Sequence, residues 1–289
     1  MLKITYGEEE YTWDEWEEMH KNFAESLELP QDLLIDKFIA DGMIMHDVGY
    51  SISISMLTEI YHIIASARFN LINAFNKLYE SNVISHGNSY LAHTWMRGEY
   101  LKNSILIYNS VEDYVYQMIW FAYDLHGTRL DGHKAYQSAL KKCNFGNLSN
   151  ELERIKTDNS KELLSLIKKY RFNQNIKHLR EKLANNLKHR GNLQFDELSR
   201  TRLFGYTQKN TKGEVTFSSD WLAPVTVNID DTIDELSEIH RYSIEFVNDI
   251  FNYINVFESF EIVKGPTFNP LIQIKEISKK INKYYNNAK

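Results

Sequence analysis

Arg171, His178, Lys182, Asn185 and His189 follow one another at steps of seven, four, three and four residues in the stretch from Lys161 to Gly191. On an α-helix, at about 100° per residue, they fall in one narrow band. Such a band joins histidines, which exchange protons near neutral pH, to fixed cations that hold an anion and an amide that donates or accepts. Arg190 lies on another face but close to the helix end, within reach of a phosphate. A second set, Leu163, Ile167, Tyr170, Ile176, Leu179, Leu183 and Leu187, has the three-and-four spacing of a buried stripe. Gly191 stands where a left-handed residue ends a helix, with cations in the last turn to complement the dipole.

A second polar stripe, Asn109, Asp113 and Gln117, lies on an earlier helix whose core face is Leu101, Ile105, Tyr108, Val115, Ile119 and Ala122. Glu112 falls on that apolar face, where a carboxylate requires a cation or an exposed edge. Glu17/His20 and Glu59/His62 have the Glu-x-x-His spacing that holds two metal ions in some helical bundles. His20, however, shares a stripe with Trp13, Trp16 and Phe23, and reads as a hydrogen-bonded core histidine. His240 reads as structural for the same reason. Cys143, the single cysteine, has no activating neighbour in the sequence. Neither a metal nor another cofactor is expected.

The elements that must carry these residues are long helices. Helices are predicted at about 51–80, 96–125, 159–190 and 231–258, the last capped by Asp230 and Asp231. Four prolines and 13% aromatic residues favour long uninterrupted helices packed through large rings. Residues 1–48 read as an appendage: a strand in LKITY, a helix opened by a Thr12/Glu15 capping box, a short helix at Gln31–Ile39, and a loop through Asp41, Gly42 and Gly49. Short helices are expected at 132–142 and 148–155, a β-hairpin within 200–220, and a basic helix over 259–289. The expected fold is all-α: a single domain built on an antiparallel up-down four-helix bundle, with added terminal helices and a small hairpin.

A net charge of -6 and a pI near 6.0 argue against a general electrostatic grip on duplex nucleic acid, so any basic site is local. One cysteine excludes an intramolecular disulfide and every multi-cysteine zinc motif, and fits a reducing compartment. The start MLKITYGEEEY lacks a basic and then apolar leader, and no apolar run is long enough to span a bilayer. A cytoplasmic protein without a membrane partner is expected.

LANNLKHRG, closing the third of the four long helices, resembles the corresponding helix end in the HEPN superfamily, and EYLKNSILIYNSVEDYVYQMIWFAYDL is similar to its second helix. The order of long helices matches over roughly residues 50–258. The family motif is an Arg, usually followed by a polar residue, then a His after four to six intervening residues. The resemblance makes His189 the histidine, Asn185 the polar residue, and Asp113 or Glu112 the acidic partner on the second helix. Ala184 occupies the place of the Arg, with Lys182 as the nearest substitute cation; Arg171 and His178 have the same count formally, mid-helix. The resemblance implies a homodimer acting on RNA without metal: the His takes the proton of a ribose 2′-hydroxyl while a cation stabilises the phosphate. Arg190, His178, Arg171, Glu112 and Asn109 would contact the substrate. Since the Arg is missing, the expectation is a toxin–antitoxin or phage-defence protein that binds RNA or nucleotide with little cleavage. An active metal-independent endoribonuclease, a non-catalytic interaction scaffold, and an antitoxin or other protein partner stay open.

Overall fold

The computed structural model describes residues 3–30, 48–79, 90–189, 193–198, 206–209, 211–218, 225–254, 260–264 and 270–274. Among these the fold is mostly helical, with small two-stranded pairs. β1 (Lys3–Tyr6) and β2 (Glu9–Thr12) form an antiparallel hairpin around Gly7, whose φ of +62° is a conformation that favours glycine. Thr12 then caps α1 (Trp13–Ser26): its Oγ1 accepts from Glu15 N at 3.3 Å, and Thr12 N donates to Glu15 Oε2 at 2.8 Å. That is the capping box expected from the sequence. α2 (Val48–Phe75) starts earlier than predicted and takes in Gly49, which had been expected in a loop. The helix expected at Gln31–Ile39 lies outside the described residues.

α3 (Tyr90–Ala122) also begins earlier than predicted, and every residue of its expected core stripe is buried. The short helices are α4 (His133–Lys142) and α5 (Phe145–Ile155), the second capped by Asn144 Oδ1 accepting from Asn147 N at 3.0 Å. The third long helix differs from expectation, because it is two helices. α6 (Asp158–Arg171) ends where Phe172 N donates to Lys168 O and Asn173 N to Tyr170 O. There is no Gly or Pro at this break. Phe172 is exposed and adds no packing, and Asn173 is a residue whose side chain competes with the helical backbone hydrogen bonds. α7 resumes at Gln174–His178, passes through a π turn over Leu179–Ala184 and closes with Asn185–His189.

β3 (Gln194–Phe195) pairs in parallel with β6 (Thr226–Val227), and the expected hairpin is present as β4 (Tyr206–Lys209) against β5 (Val215–Ser218). α8 (Ile229–Ile254) is capped by Asn228, whose Oδ1 accepts from Asp231 N at 3.0 Å, and not by Asp230 or Asp231. Glu197 Oε1 accepts from Ile229 N at 2.9 Å, adding a carboxylate to the positive end of the helix. Beyond it, β7 (Phe260–Lys264) and β8 (Pro270–Ile274) form an antiparallel pair where the first half of a basic helix was expected. The sequence between them contains Gly265–Pro266, a turn signal, and FEIVK carries the β-branched Ile262 and Val263, which suits a hairpin better than a helix. Residues 275–289 lie outside the described set.

Contacts group the chain into two compact units. One comprises residues 1–27, 66–109 and 174–239, the other 28–65, 110–173 and 240–289. The boundary falls within α2, α3 and α8 and at the break between α6 and α7. The first unit has a core of Leu71, Ala74, Leu101, Ile105, Leu179, Leu183, Ile233 and Leu236. The second is built around Ile60, Val115, Ile119, Leu148, Leu152, Leu163, Ile167 and Val247. Among the described residues no helix is long and apolar enough to cross a membrane.

Candidate functional site

The break at 172–173 places Arg171 in a different helix and a different unit from His178, Lys182, Asn185 and His189. The π turn adds a residue to a helical turn, so the face after it is displaced by about 100° from α-helical counting. The burial pattern follows the displacement. Leu179 and Leu183 are buried as expected, but Ala184 and Asn186 then point inward while Leu187 is only half-buried. Asn186 Nδ2 donates to Lys182 O within the turn. Ala184, where the HEPN resemblance would place an Arg, has no solvent exposure.

Lys182, Asn185 and His189 are exposed and have no side-chain partner among the described residues. His178 is engaged, its Nδ1 2.6 Å from Glu235 Oε1 on α8. Arg190 and the Gly191 cap lie outside the described residues. Of the second stripe, Asp113 is exposed, while Asn109 and Gln117 are half-buried. Lys182, Asn185, His189 and Asn109 belong to the first unit, and Glu112, Asp113 and Arg171 to the second.

Two of the predicted site residues do come together. Glu112, buried on the apolar face of α3, accepts from Arg171 Nη1 at 2.6 Å and from the Tyr116 hydroxyl at 3.2 Å. The cation that its position required is therefore Arg171, whose guanidinium also lies over the Phe145 ring at 4.3 Å. Burial and then the Glu112 charge push the Tyr116 hydroxyl well above its ordinary range. This is an interior ion pair on an aromatic seat. Burial and the Asp113 charge push the Cys143 thiol up to about 12, away from a reactive thiolate.

The first unit holds a polar cluster that the sequence reading did not single out. Arg97, on α3, is 1% exposed. Its Nε donates to Ala74 O at 2.9 Å, Nη1 to the Tyr6 hydroxyl at 3.1 Å, and Nη2 pairs with Asp230. Lys77 pairs with Glu9 and donates to the Tyr11 hydroxyl at 3.1 Å. Burial alone would lower the Lys77 pKa, but the bonds to Glu9 and Tyr11 outweigh it and raise it. Each cation thus has its own carboxylate.

Beside this cluster lies a cavity of about 300 Å³ lined by Thr5, Tyr6, Gly7, Leu78, Tyr79, Tyr90 and His93. The β1–β2 turn, the residues after α2 and the first turn of α3 supply its walls. His93 is 6% exposed, and its Nδ1 accepts from Tyr79 N at 3.1 Å, which places the ring proton on Nε2. Burial lowers the His93 pKa below its ordinary value. Nε2 has no partner among the described residues. Arg97 was legible after all, since it stands four residues before Leu101 on the core stripe, the same signal that marked Glu112. The tyrosines carried no such mark.

Among the described residues no group of three or more side chains is arranged to hold a metal ion. His20 packs its ring against Trp16 and Phe75 at 4.6 and 5.2 Å, and its buried Nε2 lacks the hydrogen bond expected of it. His240 is structural, with Nε2 donating to Glu28 O at 2.5 Å. Compared with family models, curated proteins and solved structures, the chain matches none.

Proposed function

We propose that the four long helical segments form an antiparallel bundle of HEPN type, and that the exposed end of α7 contacts RNA or a nucleotide without cutting it efficiently. The supporting observation is the contrast between Ala184, fully buried, and the solvent-exposed Lys182, Asn185 and His189. The slot for the motif cation lies in the core, while the histidine and amide lie outside it. Lys182 offers a positive charge without the bidentate fork of Arg, enough to hold a phosphate and poorly suited to stabilise a transition state. The family resemblance extends the reading to a cytoplasmic homodimer working in defence or with an antitoxin.

The test is a titration of the protein with single-stranded RNA and with mononucleotides at two salt concentrations, beside an incubation of RNA in chelator. Salt-sensitive binding that weakens in Lys182→Ala and His189→Ala, without a cyclic-phosphate product, supports the proposal. Cleavage that disappears in His189→Ala replaces it with the endoribonuclease reading. Absence of any salt-sensitive binding ends both and leaves a scaffold.

A further inference from the structure

We infer that the cavity framed by Tyr6, Tyr79, Tyr90 and His93 is a binding site for one small, uncharged, planar heteroaromatic molecule, a free base or nucleoside in size and chemistry. The site is separate from the exposed end of α7 and does not depend on its role.

Size comes first. At about 300 Å³ the cavity is at the lower end of ligand pockets, room for a single ring system and little more. Its walls are aromatic, which favours a flat guest that stacks. The rings are also held in place before any ligand arrives. The Tyr6 hydroxyl is fixed by Thr94 Oγ1 at 3.0 Å and by Arg97, and the Tyr79 hydroxyl donates to Asn73 O at 2.5 Å. Tyr90 lies against Tyr6 with ring centroids 4.9 Å apart, and Gly7 lets it cross the hairpin turn, since a Cβ there would stand 3.3 Å from its ring. Rigid walls of this kind save ordering entropy on binding.

Polarity and charge narrow the class. His93, 6% exposed, carries its ring proton on Nε2, a donor that suits one acceptor on the guest, a ring nitrogen or carbonyl oxygen. Lys77 and Arg97 are already matched by Glu9 and Asp230, and the Glu197 charge acts on Tyr90. Among the described residues no unspent cation lines the cavity for a phosphate, and an uncharged guest is preferred to a nucleotide.

Calorimetric titration of the full chain with adenine, guanine, uracil, adenosine and AMP tests this. A base or nucleoside should bind, and AMP should bind more weakly than adenosine. Tyr90→Ala, at the 42% exposed rim, should lose about tenfold in affinity, and Tyr90→Phe should lose little. His93→Asn keeps an acceptor for Tyr79 N while deleting the Nε2–H, and should also lose about tenfold with an unchanged melting temperature. His189→Ala should bind as the unaltered chain does, which separates this site from the RNA reading. The inference is overturned if nothing in the panel binds, if Tyr90→Ala and His93→Asn bind undiminished, or if AMP binds as tightly as adenosine.

Discussion

Arg171 Nη1 donates to Glu112 Oε1 at 2.6 Å across a helix pair, and both side chains are largely withdrawn from water, 21% and 10% exposed. A buried pair of this kind adds little over an apolar pair of the same shape, but breaking one half is costly because the other is left charged and dry. Arg171→Met should therefore lose about 3 kcal/mol in urea unfolding. Glu112→Leu combined with Arg171→Met should recover most of it. A double variant no more stable than Arg171→Met would show that the Glu112 charge is not the cause.

Installing the Arg of the HEPN motif at position 184 should fail. Ala184 has no exposure, so Ala184→Arg must either bury a guanidinium or break the π turn, at a cost of about 3 kcal/mol or more. The variant should melt lower and still leave RNA intact. A stable Ala184→Arg protein that cuts RNA would mean that position 184 reaches the polar face after all.

Gly98 sets two effects against each other. In mid-helix, Gly→Ala ordinarily gains about 1 kcal/mol. Here the added Cβ would stand 2.6 Å from the Phe195 ring, whose side chain is itself 3% exposed and has little room to move. Overpacking at about 1–3 kcal/mol should win, so Gly98→Ala is expected to be destabilising in thermal unfolding. Adding Phe195→Leu should reverse the sign. Stabilisation by Gly98→Ala alone would show that the β3 segment yields.

Stability should fall between pH 7 and pH 5. Burial holds both His20 and His93 below their ordinary value of 6.5, and at His20 the Arg97 and Lys77 charges add to it. In this window the unfolded chain binds more protons at these positions, so acid favours unfolding, until the folded rings protonate and the loss levels off. The slope is at most about 1.4 kcal/mol per pH unit for each histidine. His20→Phe, which keeps a ring between Trp16 and Phe75, should flatten it. A melting temperature that does not change from pH 7 to pH 5 would contradict the assignment.

The long helices were legible because their apolar residues repeat at the helical period over many turns, and the stripe from Leu101 to Ala122 is buried throughout. Glu112 was legible as a charge on that stripe that had to find a cation. What escaped were features without a local signature. The break after Arg171 has neither Gly nor Pro, and the π turn has the same residue types as the α-helix around it. The tyrosine cavity escaped for another reason. It gathers Tyr6, Tyr79 and Tyr90 from places more than seventy residues apart at the extremes, so only tertiary packing makes them neighbours.

The π turn over Leu179–Ala184 has a bearing on how such proteins are compared. A motif defined by the number of residues between a cation and a histidine assumes that each residue advances the chain by the same angle. For a cation that precedes the bulge, one residue is absorbed, so the distance to His189 counted along the chain exceeds, by one, the distance the helix surface presents. A relative with an uninterrupted α-helix here would align only with a single-residue gap, and its motif would be spelled one residue shorter for the same arrangement in space.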